Sequence, residues 1–129
     1  MWRIIICGSR HWTDPAPIAR VIQALPPDTV VITGGAPGAD ALAHRLALQR
    51  GLRTGVFPAA WATEGRRAGP LRNQRMLEAG ADAVYAFRCP GASPGTDHMV
   101  RIARAAHVPV RVITPDLPEP QGDTPLTAR

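Results

Sequence analysis

Residues 33–40 read TGGAPGAD and follow directly on the apolar run Val30-Val31-Ile32. Gly34 and Gly35 leave main-chain N–H groups free to face outward, and Gly38 permits a close approach where the next amphipathic stretch begins. A helix start adds unpaired donors and a partial positive charge, so the stretch has the makings of a phosphate cradle. Its spacing, G-G-x-x-G, is neither the dinucleotide fingerprint G-x-G-x-x-G nor a P-loop, since no Gly-Lys-Ser/Thr follows. Asp40 falls in the first helical turn, where it could cap the helix or meet a ribose hydroxyl.

Residues 89–98, CPGASPGTDH, repeat the device: Gly91 and Gly95 precede Thr96-Asp97 at another helix start. Two such loops on neighbouring strands could hold two parts of one phosphate-bearing ligand, although Thr96 is equally explained as an N-cap. AGPLRNQRM, residues 68–76, puts Arg72 and Asn73 in the first turn of a further helix. An arginine there opposes the helix dipole and calls for an anion, unless it is simply solvated. Arg75 lies one helical turn on, facing the same way or forming a surface stripe. After the first strand comes Gly8-Ser9-Arg10-His11-Trp12, which completes the set.

Catalytic constellations are thin. His11, His44, His98 and His107 show no ligand spacing with cysteines or carboxylates, so no metal and no cofactor is expected. Ser9 lacks an obvious base. Asp40 and Asp97 are the weak catalytic candidates, and His98 is either exposed or within reach of the same cleft. Trp12 and Trp61 could stack on a base or anchor loops. Arg66 and Arg67 sit in a glycine-containing loop, Trp61–Gly69, that could act as a lid. Cys7 and Cys89 each end an apolar run and read as free thiols packed in the interior.

These residues need elements to position them. Apolar runs at Arg3–Cys7, Thr29–Thr33, Arg53–Phe57, Ala83–Phe87 and Val110–Ile113 alternate with helical patterns at Asp14–Ala24, Ala39–Arg50, Pro70–Ala79 and Thr96–Ala106. In the second helix Ala39, Leu42, Ala43, Leu46 and Ala47 make one buried stripe, and Gly51 ends it. Asp14 caps the first helix with Pro15 at its first position. The strands are nearly continuous in apolar character, which predicts an α/β fold: one Rossmann-like three-layer domain over residues 1–113 with a five-stranded, mostly parallel sheet. Ligands of such sheets bind beyond the carboxyl ends of the strands, where all four loops above converge. Residues 114–129 carry four prolines and little that could bury, and read as an extended or disordered tail.

At 129 residues the chain suits one domain, and no apolar run reaches the length of a membrane span. The N-terminus reads as a strand and not as a signal peptide, so a soluble cytoplasmic protein is expected. All 15 basic residues are arginine, against 10 acids, for a net +5. One arginine and three acids fall in the tail, so the excess on the body rises to +7. That excess suits phosphates or nucleic acid, though a GC-rich genome also produces arginine, alanine and proline without functional demand.

GSR after the first strand, GGAPGAD after the second, AGPLRNQRM, and PGTDH after the fourth together resemble the SLOG superfamily, named for the Smf/DprA and LOG proteins. The resemblance is specifically to its small YspA-like branch related to YpsA, over about residues 3–113. The resemblance implies a Rossmann-like domain that binds a nucleotide or nucleotide-derived ligand, with a role as a sensor among its expectations. LOG proteins are phosphoribohydrolases acting on nucleoside monophosphates, and DprA-type members bind single-stranded DNA; both remain alternative readings. Gly34, Gly35 and Gly38 match the first phosphate-facing turn, Gly95-Thr96 the second, and Arg72 the motif arginine. Gly8, Ser9, Arg10, Asp40 and Asn73 complete the expected binding set. The hydrolase motif P-G-G-x-G-T-x-x-E is broken here, with Ala92-Ser93 for the glycine pair and Met99 for the glutamate. The expected general base is therefore missing. The resemblance also implies a homo-oligomer, pairing through helix faces such as 70–79.

Overall fold

The computed structural model of the chain describes residues 1–115 and 126–127. Five strands, β1 (Trp2–Gly8), β2 (Thr29–Thr33), β3 (Arg53–Val56), β4 (Ala83–Phe87) and β5 (Val110–Ile113), form one sheet in the order β3-β2-β1-β4-β5. Every pairing is parallel, so the expectation of a mostly parallel sheet becomes an all-parallel one. The three central strands, β1, β2 and β4, are apolar runs too uniform to leave one face in water, so helices cover both sides, while the edge strands β3 and β5 are partly exposed. Ile4, Ile5 and Ile6 are fully buried, pointing alternately to the two faces.

Helices α1 (Pro15–Ala24) and α2 (Ala39–Arg50) cover one face. Asp14 caps α1 by accepting the Ala16 N–H at 3.0 Å, and Gly51, left-handed at φ +86°, ends α2. On the other face lie α4 (Ala68–Glu78) and α5 (Pro94–Ala105), over a core of Ile5, Ile32, Met76, Val84 and Met99. The chain moves outward from β1 to β3, then returns across the opposite face to enter β4 beside β1. The order therefore reverses between β1 and β4, and that reversal opens a crevice above their carboxyl ends.

Two boundaries differ from expectation in ways that matter. The segment before α4 is not an open loop: Trp61–Glu64 forms the short helix α3, and Gly65–Arg67 a 3-10 turn leading straight into α4. Helix α4 therefore starts at Ala68, with Pro70 still in the first turn, where a missing N–H costs no helical hydrogen bond. Arg72 and Asn73 move from the first turn to the second. Glu64 grips Arg75 through paired contacts of 3.0 and 2.6 Å, tying the Trp61–Gly69 segment to α4. Of the tail, residues 116–125 and 128–129 lie outside the described residues. Leu126 packs against the α1/α2 side of the core, its N–H donating to the Tyr85 hydroxyl at 3.0 Å.

Candidate functional site

The turn after β2 is filled by the protein itself. Asp40 points inward, 4% exposed, and its Oδ2 accepts the Gly34 N–H at 2.9 Å and, more distantly, the Ala36 N–H at 3.5 Å. The Gly8 N–H also bonds this carboxyl. Burial is the largest influence on it and raises its pKa to about 6, against the opposing pull of the Arg72 guanidinium and the three amides. The Cys7 thiol beside it is pushed far up by the same burial and by the Asp40 charge, so it is an inert core thiol. Arg72 donates through Nη1 to the Gly34 carbonyl at 2.7 Å and through Nε to Asn73 Oδ1 at 3.0 Å.

The glycines here answer to these contacts. A Cβ on Gly34 would lie 2.1 Å from the Arg72 guanidinium. One on Gly38, where φ is +84°, would lie 2.4–2.5 Å from the main chain of Ser9 and Arg10. The Ala39 N–H, at the start of α2, donates to the Ser9 carbonyl at 3.2 Å. What approaches these glycines is the chain's own β1 loop and its own arginine.

The turn after β4 is built differently. The Cys89 N–H donates to Ser9 Oγ at 2.8 Å, Ser9 Oγ lies 3.1 Å from Ser93 Oγ, and Ser93 Oγ donates to Thr96 Oγ1 at 3.1 Å. All three hydroxyls are buried. Because an amide opens the chain and Ser93 gives its proton to Thr96, Ser9 must give its own to Ser93. The run therefore ends at Thr96 with a hydroxyl proton left to donate, and each bond polarises the next. Thr96 lies in the first turn of α5, which no side-chain cap closes. A Cβ on Gly95 would meet nothing within 4 Å.

Asn73, buried, braces this turn from α4: Nδ2 donates to the Gly95 carbonyl and to His98 Nδ1, both at 3.1 Å. Its orientation is set by Arg72 donating to Oδ1, so neutral His98 carries its proton on Nε2. Burial, and then Arg101, lower the His98 pKa, which keeps the ring neutral. Asp97 is held by Arg88, with Nε to Oδ1 at 2.7 Å and Nη2 to Oδ2 at 3.1 Å. Arg88 also donates to the Cys89 and Gly91 carbonyls, so one side chain shapes the whole loop.

Of the residues singled out from sequence, Gly8, Ser9, Gly34, Gly38, Asp40, Arg72, Asn73, Gly95 and Thr96 form one connected assembly around the β1/β4 crevice. Gly35 is at its exposed margin, and Arg10 is exposed beside it. Trp12 is a core anchor: it is buried, bonds the Asp14 carbonyl through Nε1 at 2.6 Å, and meets Phe87 edge-on at 5.4 Å. Trp61 is 62% exposed and lies over Gly69. Sequence reasoning missed Arg88 and the role of Ser93. A charged residue closing the apolar run of β4 was the available signal for the first; the second depends on a contact across 84 positions of chain. Met99, at the hydrolase glutamate position, is fully buried. Among the described residues, no three metal-ligating side chains cluster, and no helix is long and apolar enough to cross a membrane.

Fold and site together define a three-layer, Rossmann-like α/β domain whose polar groups gather where the strand order reverses. A family profile described as "YspA, cpYpsA-related SLOG family" matches residues 2–63. The "Gene 61 protein" of Mycobacterium phage D29 is 40% identical over 85% of this chain and 94% of its own. The chain belongs to the YspA, cpYpsA-related SLOG family. Among solved structures, DNA processing protein A (DprA) from Streptococcus pneumoniae superposes with a TM-score of 0.56 at 18% identity. The match covers 88% of this chain and 58% of that one, and the likeness is one of fold.

Proposed function

We propose that this protein binds a nucleotide or nucleotide-derived ligand, with a phosphate resting on the first turn of α5 in the β1/β4 crevice. The observation that carries this reading is the hydroxyl run Ser9–Ser93–Thr96, which ends as a donor at a helix start that no side-chain cap closes. A hydroxyl donor at a helix start, with the helix dipole behind it, favours negative oxygen. Arg88 offsets the Asp97 charge that would otherwise repel it.

Binding, and not hydrolysis, is the activity this geometry supports best. Asp40 lies buried on main-chain amides, Asp97 is paired with Arg88, and Met99 stands where a hydrolase would keep its carboxylate. Calorimetric titration with ribose 5-phosphate and the four nucleoside 5′-monophosphates tests the reading. Micromolar binding that falls at least tenfold in both Thr96→Val and Gly95→Asp supports it; binding indifferent to both, or no binding to any probe, overturns it. The same reading expects self-association through the outer face of α4, which sedimentation at micromolar concentration would register.

A further inference from the structure

A second hollow adjoins the crevice on the α1 side. Its volume is about 250 Å³, and its walls include Asp14, Pro17, Arg20, Cys89, Ile113 and Thr114. Cys89 joins the hollow to the assembly around the α5 turn: it lines the hollow while its N–H begins the hydroxyl run toward Thr96.

The size of the hollow narrows its occupant. Sites for whole drug-sized ligands run from about 300 to 1,000 Å³. This hollow falls just below that range, so it suits one end of a ligand whose other end lies elsewhere. Its chemistry narrows the occupant further. Pro17 and Ile113 offer apolar surface for a flat ring, while Asp14, Arg20 and Thr114 add acceptors and donors for the ring edges. Asp14 and Arg20 both border the hollow and offset each other's charge, whereas three hydrogen bonds away the hydroxyl run ends as a donor at a helix start, the better place for a phosphate.

Resting on the nucleotide reading above, we propose that the α1-side hollow receives the base of the same ligand, lying against Pro17 and Ile113. The ligand then straddles the tops of β1 and β4, phosphate toward α5 and base toward α1. The hollow, and not the α5 turn, decides whether a nucleotide is preferred to a bare sugar phosphate.

The test compares each of AMP, GMP, CMP and UMP with ribose 5-phosphate in wild type, Pro17→Trp and Thr114→Trp, with thermal melts confirming folding. In wild type at least one mononucleotide should bind tenfold or more tightly than ribose 5-phosphate. In each folded tryptophan variant that preference should collapse to less than threefold, while ribose 5-phosphate affinity stays within twofold. Mononucleotide preference that survives both variants overturns the assignment of the hollow and leaves the phosphate reading standing. So does a wild type that binds ribose 5-phosphate as tightly as every mononucleotide. Absence of binding by any probe overturns both.

Discussion

The two glycine-rich turns look alike on paper and differ in what fills them. After β2, main-chain amides close on Asp40, Arg72 covers Gly34, and the β1 loop presses on Gly38. After β4, the helix start lacks a side-chain cap, Gly95 faces open space, and buried hydroxyls relay their protons toward it. The lesson is that glycine content marks a close approach without saying what approaches. In the first turn it is the protein, and the turn has become a structural clasp; in the second the approach is left open.

The largest effect expected from this contrast is at Gly38. Replacement by alanine forces a Cβ into the Ser9–Arg10 main chain at a left-handed φ, and should destabilise by about 3 kcal/mol or more. Gly95→Ala should stay within about 0.5 kcal/mol of wild type, since it adds a good helix former in open space. Chemical denaturation of the two variants reads the difference directly. Equal losses would erase the distinction between the turns.

Next in size is the clasp's charge. Asp40 has a folded pKa of about 6 against an ordinary value of 3.8. The sign is that of a raised acid: its contribution to stability is complete below about pH 4 and is lost as pH rises through 6, worth up to about 3 kcal/mol. Asp40→Asn should flatten the fall in stability of wild type between pH 4 and 7. A variant whose slope across that window matches wild type would place the proton elsewhere. Arg72→Ala should cost about 2 kcal/mol at pH 7, because it strips the counter-charge from Asp40 and a donor from the Gly34 carbonyl. That loss should shrink toward pH 5, as Asp40 takes up its proton.

Much of this architecture was legible before the fold was known. Helix α2 runs over Ala39–Arg50 as its alanine and leucine spacing predicts, and three of the five strands' main apolar runs appear with the predicted bounds. Local patterns sufficed there because each element buries a face whose period the sequence displays. The start of α4 was misread since Gly69-Pro70 looks like a boundary, whereas Gly69 lies beneath Trp61 and Pro70 fits the first turn. Asp40 in a first turn invites the reading of a cap or a ribose ligand. Only the crossing of β1, β2 and α2 reveals that its carboxyl turns inward, toward the amides of Gly34, Ala36 and, on β1, Gly8. The hydroxyl run was illegible for the same reason: Ser9 and Ser93 meet only because β1 and β4 pair, with Gly8 opposite Phe87.

The smallest effect expected is the most discriminating for chemistry at the open turn. Asp97 is mostly exposed, and its charge is answered by Arg88, which holds its pKa below the usual carboxylate range. If the turn only binds phosphate, Asp97→Asn removes a negative charge from the neighbourhood of the ligand and leaves affinity unchanged or raised by less than threefold. Arg88→Met does the reverse: it leaves Asp97 unanswered, loosens the Cys89 and Gly91 carbonyls, and should weaken nucleotide binding three- to tenfold, more so at low salt where screening is least. A turn that hydrolysed its ligand through Asp97 would instead lose base release outright in Asp97→Asn while keeping affinity. Incubating each monophosphate with wild type and variant, and measuring free base alongside binding, separates a donor-lined rest for phosphate from a working carboxylate.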